Sequence, residues 1–151
     1  MNSTLQRPRL ADLRVGQEVA RRTLEITRDT LVRYAGASGD FNPIHYNDEV
    51  ARSVGLDGVI AHGMLTMGRV LAVVVDWAGD PGAVLGCGAR FTSPVPVPAQ
   101  GAALVEVVAT IGALDAEAGT ARVDLQATLD GTKVLGRTRA TVRLETTEGD
   151  A

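Results

Sequence analysis

Residues Tyr34–Ala51 read YAGASGDFNPIHYNDEVA, and about one helix further along Ala61–Met64 read AHGM. The first stretch places a carboxylate, Asp40, and an imidazole, His45, five positions apart. The segment between them cannot be regular helix, because Pro43 pushes the residue before it out of the helical region. A shaped loop that presents one carboxylate and one histidine offers the groups that proton-transfer chemistry requires.

These stretches resemble the signature of MaoC-like (R)-specific enoyl hydratases and 3-hydroxyacyl dehydratases, which have a hot-dog fold. The matching residues are Tyr34, Ser38–His45, Ala51, Ala61–Met64 and Arg90–Val95. In spacing and order of elements the resemblance covers roughly residues 10–145. It implies an α+β fold, with a single hot-dog domain whose antiparallel sheet wraps around a long central helix.

Composition and charge are those of an ordinary globular domain. The 151 residues are most simply one domain, with 45% hydrophobic and 22% charged residues. A net charge of −3 argues against a nucleic-acid partner held by general electrostatics. The single cysteine, Cys87, excludes an internal disulfide and is expected to be a small buried residue. The N-terminus lacks a signal-peptide pattern and the apolar segment 65–78 is too short for a bilayer, so we expect a cytoplasmic protein without a membrane partner.

Periodicity predicts short helices around the motif and strands after it. Thr27 is a predicted N-cap, and Asn47 is a second one. Residues 64–78 are apolar around nearly the whole helix, although Val73–Val75 favour a strand, so the central-helix assignment depends partly on the resemblance. The predicted strands are 17–26, 83–91, 105–111, 123–129 and 133–144, with strict alternation in the last strand. A hairpin turn is predicted at Asp130–Gly131. The predicted domain covers residues 10–145, with loose ends at 1–9 and 146–151.

Hydration of a 2-enoyl thioester makes three chemical demands. Water must lose a proton as it attacks C3, C2 must gain a proton, and negative charge accumulates on the thioester oxygen. Asp40 and His45 can meet the first two demands if the loop brings them to one water, and Phe41 and Ile44 are available to form an apolar pocket around them. The N–H of Gly63, at the start of the central helix, can meet the third, because helix-start N–H groups lack intrahelical acceptors. An acid, a histidine and a helix-start N–H carry these roles in the resembled family, so we assign them to Asp40, His45 and Gly63.

Neighbouring residues receive other roles. Asn42 is expected to pin the loop through side-chain hydrogen bonds, and His62 to cap the helix or form a pocket wall. Met64 and Leu65 are candidates for the lining of the acyl pocket, whereas Asp48 is most simply a helix-start residue. The predicted substrate contacts are Phe41, Asn42, Ile44, His62, Met64 and Leu65.

We expect neither a metal nor a redox cofactor. Asp40, His45 and His62 could in principle form a two-histidine, one-carboxylate metal site, but their spacing does not fit a helical ligand pair. The segment 36–40 lacks the final glycine of a nucleophile elbow, and 86–91 lacks the third glycine of a dinucleotide fingerprint.

The sequence therefore predicts an (R)-specific hydro-lyase that acts on 2-enoyl or 3-hydroxyacyl thioesters of coenzyme A or acyl carrier protein. One alternative is a hot-dog subunit that needs a partner chain or only binds acyl thioesters. Another is a thioesterase, in which water attacks the carbonyl carbon. Because a small sheet leaves its edges exposed, we expect a homodimer, with a heterodimer with a related hot-dog chain as the alternative.

Overall fold

The structure is a computed structural model that describes residues 7–146, so the predicted loose ends at 1–6 and 147–151 lie outside the described residues. One strand and three helices come first, and a run of four strands follows. The elements are β1 (Glu18–Ile26), α1 (Arg28–Ser38), α2 (Asp48–Ser53), α3 (Gly63–Ala78), β2 (Val84–Phe91), β3 (Ala103–Asp115), β4 (Thr120–Leu129) and β5 (Thr132–Arg143).

The five strands form one antiparallel sheet in the order β1-β3-β4-β5-β2, and α3 contacts all five. Alternate residues of β3 face the helix, as their period of two predicts: Val105, Val107, Ala109 and Ile111 are at most 1% exposed. The predicted sheet wrapped around a central helix is confirmed. Because the core lies between the sheet and α3, the start of that helix is fixed in place.

The central helix forms despite its run of β-branched residues. Val73 and Val74 are buried against the sheet, and the helix ends at Gly79, whose φ of 70° is a left-handed cap. Burial of the apolar surface of α3 thus outweighs the local strand preference of the valines.

Two capped helices enclose the motif loop. Thr27 accepts a hydrogen bond from the Thr30 N–H and the Thr30 hydroxyl accepts one from the Thr27 N–H, each at 3.2 Å, which makes a reciprocal N-cap for α1. The α1 helix ends at Gly39, with φ 75°, and Asp40 follows directly. Asn47 caps α2 by accepting from two backbone N–H groups. Both predicted caps are confirmed, and together they fix the two ends of the loop.

The strict alternation predicted for β5 is wrong near its middle. Leu125 of β4 pairs with Thr138, whereas Ala127 pairs with Leu135, so β5 carries an extra residue there. Arg137 has φ 48° within this bulge. The bulge resets which side chains face inward, and Leu135 is consequently buried.

Cys87 is exposed, contrary to the expectation that it is buried. It lies on β2, which pairs with β5 on one side and with no other strand in the described part of the chain. An edge strand lacks the cover that the inner strands have, and sequence alone does not reveal which strand lies at the edge.

The described ends of the chain are attached to the domain. The Leu10 N–H donates to the Glu145 carbonyl at 2.9 Å, and the Arg7 guanidinium lies 3.3 Å from the Asp80 carboxylate. Residues 7–9, predicted to be loose, therefore contact the fold. Within residues 7–146 no helix is long and apolar enough to cross a membrane. The cytoplasmic location stays a prediction.

Candidate active site

The motif loop brings Asp40 and His45 together. Oδ2 of Asp40 lies 4.0 Å from Nε2 of His45, which is too long for a direct hydrogen bond and leaves room for a bridging water. The His45 side chain is 9% exposed and that of Asp40 is 50% exposed. The apolar pocket expected around the carboxylate is therefore incomplete in this single chain.

The tautomer of the neutral His45 ring follows from its hydrogen bond to Ile60. Nδ1 lies 2.8 Å from the Ile60 carbonyl oxygen, which can only accept, so Nδ1 carries the hydrogen. In the neutral ring, Nε2 is then unprotonated and can accept a proton from water. The Ile60 carbonyl is held by flanking backbone pairs, Ala61 N–H to Val95 at 2.8 Å and Val97 N–H to Val59 at 2.9 Å.

The Asp40 carboxylate is oriented by its own loop. The Asn42 N–H donates to Oδ1 of Asp40 at 3.2 Å, and the Asp40 N–H donates to the Ser38 hydroxyl at 3.2 Å. Asn42 in turn accepts from the Ile44 N–H at 3.2 Å, which is the loop-pinning role expected of it. Because Oδ1 is engaged with Asn42, Oδ2 is the oxygen that faces His45.

His62 packs directly beneath the dyad. Its ring stacks on that of His45 with centroids 3.8 Å apart, and it meets Tyr34 edge-on at 4.7 Å. Nε2 of His62 lies 3.1 Å from the Asp40 carbonyl oxygen and donates to it. Burial is the main cause that lowers the pKa of His62, while the hydrogen bond to the Asp40 carbonyl acts in the opposite direction. His62 occupies the N-cap position of α3, but its side chain makes no capping bond to the described residues, so the capping role is wrong.

Gly63 begins α3, where the backbone N–H groups point out of the helix without intrahelical acceptors. The Phe91 ring lies against it: a Cβ built on Gly63 would come within 3.0 Å of Phe91 Cε1. Glycine is therefore the residue that allows this aromatic ring to approach the helix start. Gly63 and Phe91 line the same cleft as His45.

His45 borders two clefts. The first has a volume of about 270 Å³ and is lined by Gly63, Thr66 and the segment 91–95 among others. The second, of about 300 Å³, is lined by His45 together with Leu31, Val32, Ala35, Phe41 and Tyr46. His62 is absent from the described lining of both clefts, so the pocket-wall role predicted for it lacks support.

The remaining predicted substrate contacts are scattered. Leu65 is 8% exposed and belongs to the core, whereas Met64 is 60% exposed on the surface. Ile44 contributes its carbonyl, which accepts from the Ile60 N–H at 3.2 Å. The roles of Ile44, Met64 and Leu65 as substrate contacts stay predictions, and the clefts of the single chain give them no support.

The arrangement fits a metal poorly. Asp40, His45 and His62 each have a possible ligand atom within 4.8 Å of the others. The two rings, however, are stacked with planes only 26° apart, and a metal binds an imidazole nitrogen in the ring plane at about 2 Å. An ion held by both histidines would lie outside at least one ring plane.

Sequence reasoning missed the ion pair behind the loop. Asp48, expected only to begin α2, accepts from the Arg28 guanidinium at 2.9 and 3.1 Å and from the Val59 N–H at 2.9 Å. Arg28 also donates to the Val97 carbonyl at 2.8 Å. The Arg28 hydrogen bonds are the main cause that lowers the pKa of Asp48. This pair ties together the segments that present the Ile60 carbonyl to His45.

Ile60 and Phe91 were also missed as site residues. Nothing in the identity of Ile60 marks its carbonyl as a histidine partner, because any residue offers that group. For Phe91 a signal existed, since it lies in the Arg90–Val95 stretch that matches the family signature.

A family model described as "MaoC like domain" matches residues 11–128. Among curated proteins, 3-hydroxyacyl-thioester dehydratase X of Mycobacterium tuberculosis is 46% identical over 76 residues, which are 50% of this chain and 26% of that protein. The (R)-specific enoyl-CoA hydratase of Rhodospirillum rubrum is 33% identical over 87 residues, which are 57% of this chain and 60% of that protein. The chain thus spans less than two thirds of the length of either relative.

A solved structure described as a MaoC-like dehydratase superposes with a TM-score of 0.89 at 40% identity. The match covers 92% of this chain and 43% of that chain. The sheet, the central helix and their order are therefore shared.

Proposed function

Because the chain belongs to the MaoC-like dehydratase family, we propose that it is a hydro-lyase that interconverts trans-2-enoyl and (R)-3-hydroxyacyl thioesters. One observation carries the proposal: the Asp40 carboxylate faces Nε2 of His45 across 4.0 Å, in a site that also contains the start of α3. The (R) configuration rests on the similarity to a relative named as an (R)-specific hydratase.

A water between Asp40 and His45 would donate one hydrogen to each. One of its two lone pairs would then point at C3 of a bound enoyl thioester. As the oxygen attacks C3, one of the two groups takes a proton and later delivers it to C2, so the elements of water add across the double bond. Positioned acid–base groups of this kind contribute on the order of 100- to 10,000-fold in rate.

The Gly63 N–H would serve the thioester carbonyl. During attack at C3, negative charge moves onto the carbonyl oxygen, and a donor fixed at the positive end of a helix dipole stabilises that charge. The cleft that contains both Gly63 and His45 is where the thioester would lie, with Thr92 and Ser93 also in its lining.

We further propose that a second hot-dog chain completes the site. Asp40 is half-exposed, and the nearby apolar side chains of Phe41, Phe91 and Met64 are more than half-exposed in the single chain. Among residues 7–146, β2 pairs only with β5, so its other edge offers backbone groups to another strand. A second copy is the simplest partner, and a related hot-dog chain is the alternative.

Solution mass tests the partner directly. Cys87→Arg places a charge on the β2 edge, while Val15→Arg places the same charge at another exposed position. A dimer that dissociates with Cys87→Arg and persists with Val15→Arg supports edge pairing. A wild-type monomer that gains activity only with a related chain supports the heterodimer.

Product analysis tests the reaction. The protein is incubated with a short-chain trans-2-enoyl-CoA, followed by chiral separation of the 3-hydroxyacyl product and an assay for free thiol. We expect the (R) product without thiol release. Release of coenzyme A without hydration would instead support a thioesterase, and formation of the (S) product would contradict the stereochemical assignment.

A further inference from the structure

We propose that His62 is a positioning residue that holds Asp40 and His45 in their catalytic arrangement without touching the substrate. This inference rests on the proposed function, since it assigns His62 to the support of that same site. The role differs from the capping and pocket-wall roles that the sequence suggests for this residue.

Two contacts from one ring connect His62 to both members of the dyad. Nε2–H donates to the Asp40 carbonyl at 3.1 Å, across 22 residues of chain. The face of the same ring stacks on His45 at 3.8 Å. Since His62 lies at the start of α3, it ties the motif loop to the central helix of the fold.

The electrostatic state of His62 suits this role. The ring is 1% exposed, and its burial lowers the pKa of His62, which keeps it neutral near neutral pH. Of the titratable groups that contact it, His45 lies on its face and Asp40 beside its edge, and Tyr34 meets it edge-on. A neutral ring at 3.8 Å places no like charge beside His45 when that residue accepts a proton.

The second nitrogen of His62 argues against a purely structural role. Nδ1 is buried and has no hydrogen-bond partner among residues 7–146. A buried polar atom without a partner destabilises the fold. A phenylalanine ring has no such atom, so for stability alone phenylalanine would suit this position at least as well as histidine. Histidine at this position is thus explained by its Nε2–H donor, which phenylalanine lacks.

Two substitutions separate the contacts. His62→Phe keeps a ring that can stack on His45 and removes the donor to Asp40. His62→Gln keeps a donor near the Nε2 position and removes the ring. Thr138→Val is the matched control, because Thr138 is 2% exposed and its hydroxyl also lacks a partner in the described part of the chain.

We expect His62→Phe to lower kcat by about 10- to 100-fold, because a shift of the reacting groups of about 1 Å can reduce the rate by that factor. KM should stay within about twofold, since His62 lines neither cleft, and Tm should be unchanged or higher. His62→Gln should recover most of the rate, and Thr138→Val should keep wild-type kcat.

Amide exchange gives a readout that is independent of activity. In the folded His62→Phe variant, the Asn42 and Ile44 N–H groups should exchange faster than in wild type, because the loop loses its tie to α3. Unchanged kcat and unchanged exchange in both His62 variants would overturn the inference. If the wild type lacks hydratase activity, the proposed function fails, while the exchange rates still decide whether His62 holds the loop.

Discussion

Replacing Gly63 by alanine is expected to lower kcat at least tenfold without unfolding the protein. The new Cβ would lie 3.0 Å from Phe91 Cε1 and 3.2 Å from Cδ1, whereas carbon atoms pack best at about 3.5–4.0 Å. Either the Phe91 ring or the start of α3 must therefore move by about half an ångström. Phe91 is 53% exposed, so the ring can move outward and the stability of the fold should change little.

The magnitude follows from the geometry that an oxyanion donor needs. A donor acts within about 2.7–3.1 Å of the developing charge, and loss of one such donor lowers the rate by about 100- to 1,000-fold. This range is the upper limit, because alanine keeps its N–H and only its approach to the carbonyl is obstructed. The added Cβ would hold the thioester oxygen farther from this N–H even when the Phe91 ring moves aside, and an extra half ångström takes the contact out of that window, hence the expected loss of at least tenfold.

The matched control is Gly36→Ala in α1. Gly36 is an exposed helical glycine, and apart from its chain neighbours and the nearby backbone of its own helix no described atom lies within 4 Å of its Cβ position. Alanine should stabilise this helix by up to about 1 kcal/mol and leave kcat unchanged. Both variants are compared by steady-state hydration of a trans-2-enoyl-CoA and by thermal unfolding. Wild-type kcat in a folded Gly63→Ala variant would refute the assignment of this N–H to the thioester oxygen.

Three further predictions concern stability. Acidification from about pH 7.5 to about pH 5.5 should lower the Tm of wild type more than that of His62→Phe. The unfolded chain takes up a proton at His62 near the ordinary His pKa of 6.5, whereas folded His62, with its lowered pKa, does not. Equal decreases in Tm would contradict this prediction. Asp48→Asn should lower Tm at neutral pH, and the difference in Tm from wild type should shrink as pH falls below 3.8. The reason is that the Arg28 contacts that lower the pKa of Asp48 stabilise only its ionised form. A difference in Tm that does not depend on pH would argue against the ion pair. The Ile111 side chain is 1% exposed, so Ile111→Ala should reduce the free energy of unfolding by about 2–5 kcal/mol in urea titrations. A loss below about 1 kcal/mol would contradict the assignment of Ile111 to the core.

Features encoded by neighbouring residues were predictable from the sequence. Thr27 and Asn47 cap their helices through bonds to residues two or three positions away, and Asp130–Gly131 forms the predicted turn with positive φ at both residues. The pairing of Asp40 with His45 was likewise accessible, because both lie in one loop of distinctive composition. For α3 periodicity alone was ambiguous, and the assignment depended partly on the family resemblance.

Features that depend on distant contacts were not predictable. The Arg28–Asp48 pair joins residues 20 positions apart, and the His45–Ile60 bond joins residues 15 positions apart through a backbone group that any residue could supply. The exposure of Cys87 depends on which strand lies at the sheet edge. The β5 bulge depends on the register with β4, which the alternation of one strand cannot reveal.

The most direct test of the account is the loss of enoyl absorbance when purified protein is added to a short-chain trans-2-enoyl-CoA, with Asp40→Asn measured in parallel. Asparagine can still accept the Asn42 N–H bond to the loop, so the variant should fold while lacking the carboxylate. We predict rapid loss of absorbance with wild type and a decrease of about 100- to 10,000-fold for the variant. Full activity in a folded Asp40→Asn protein would contradict the proposed dyad.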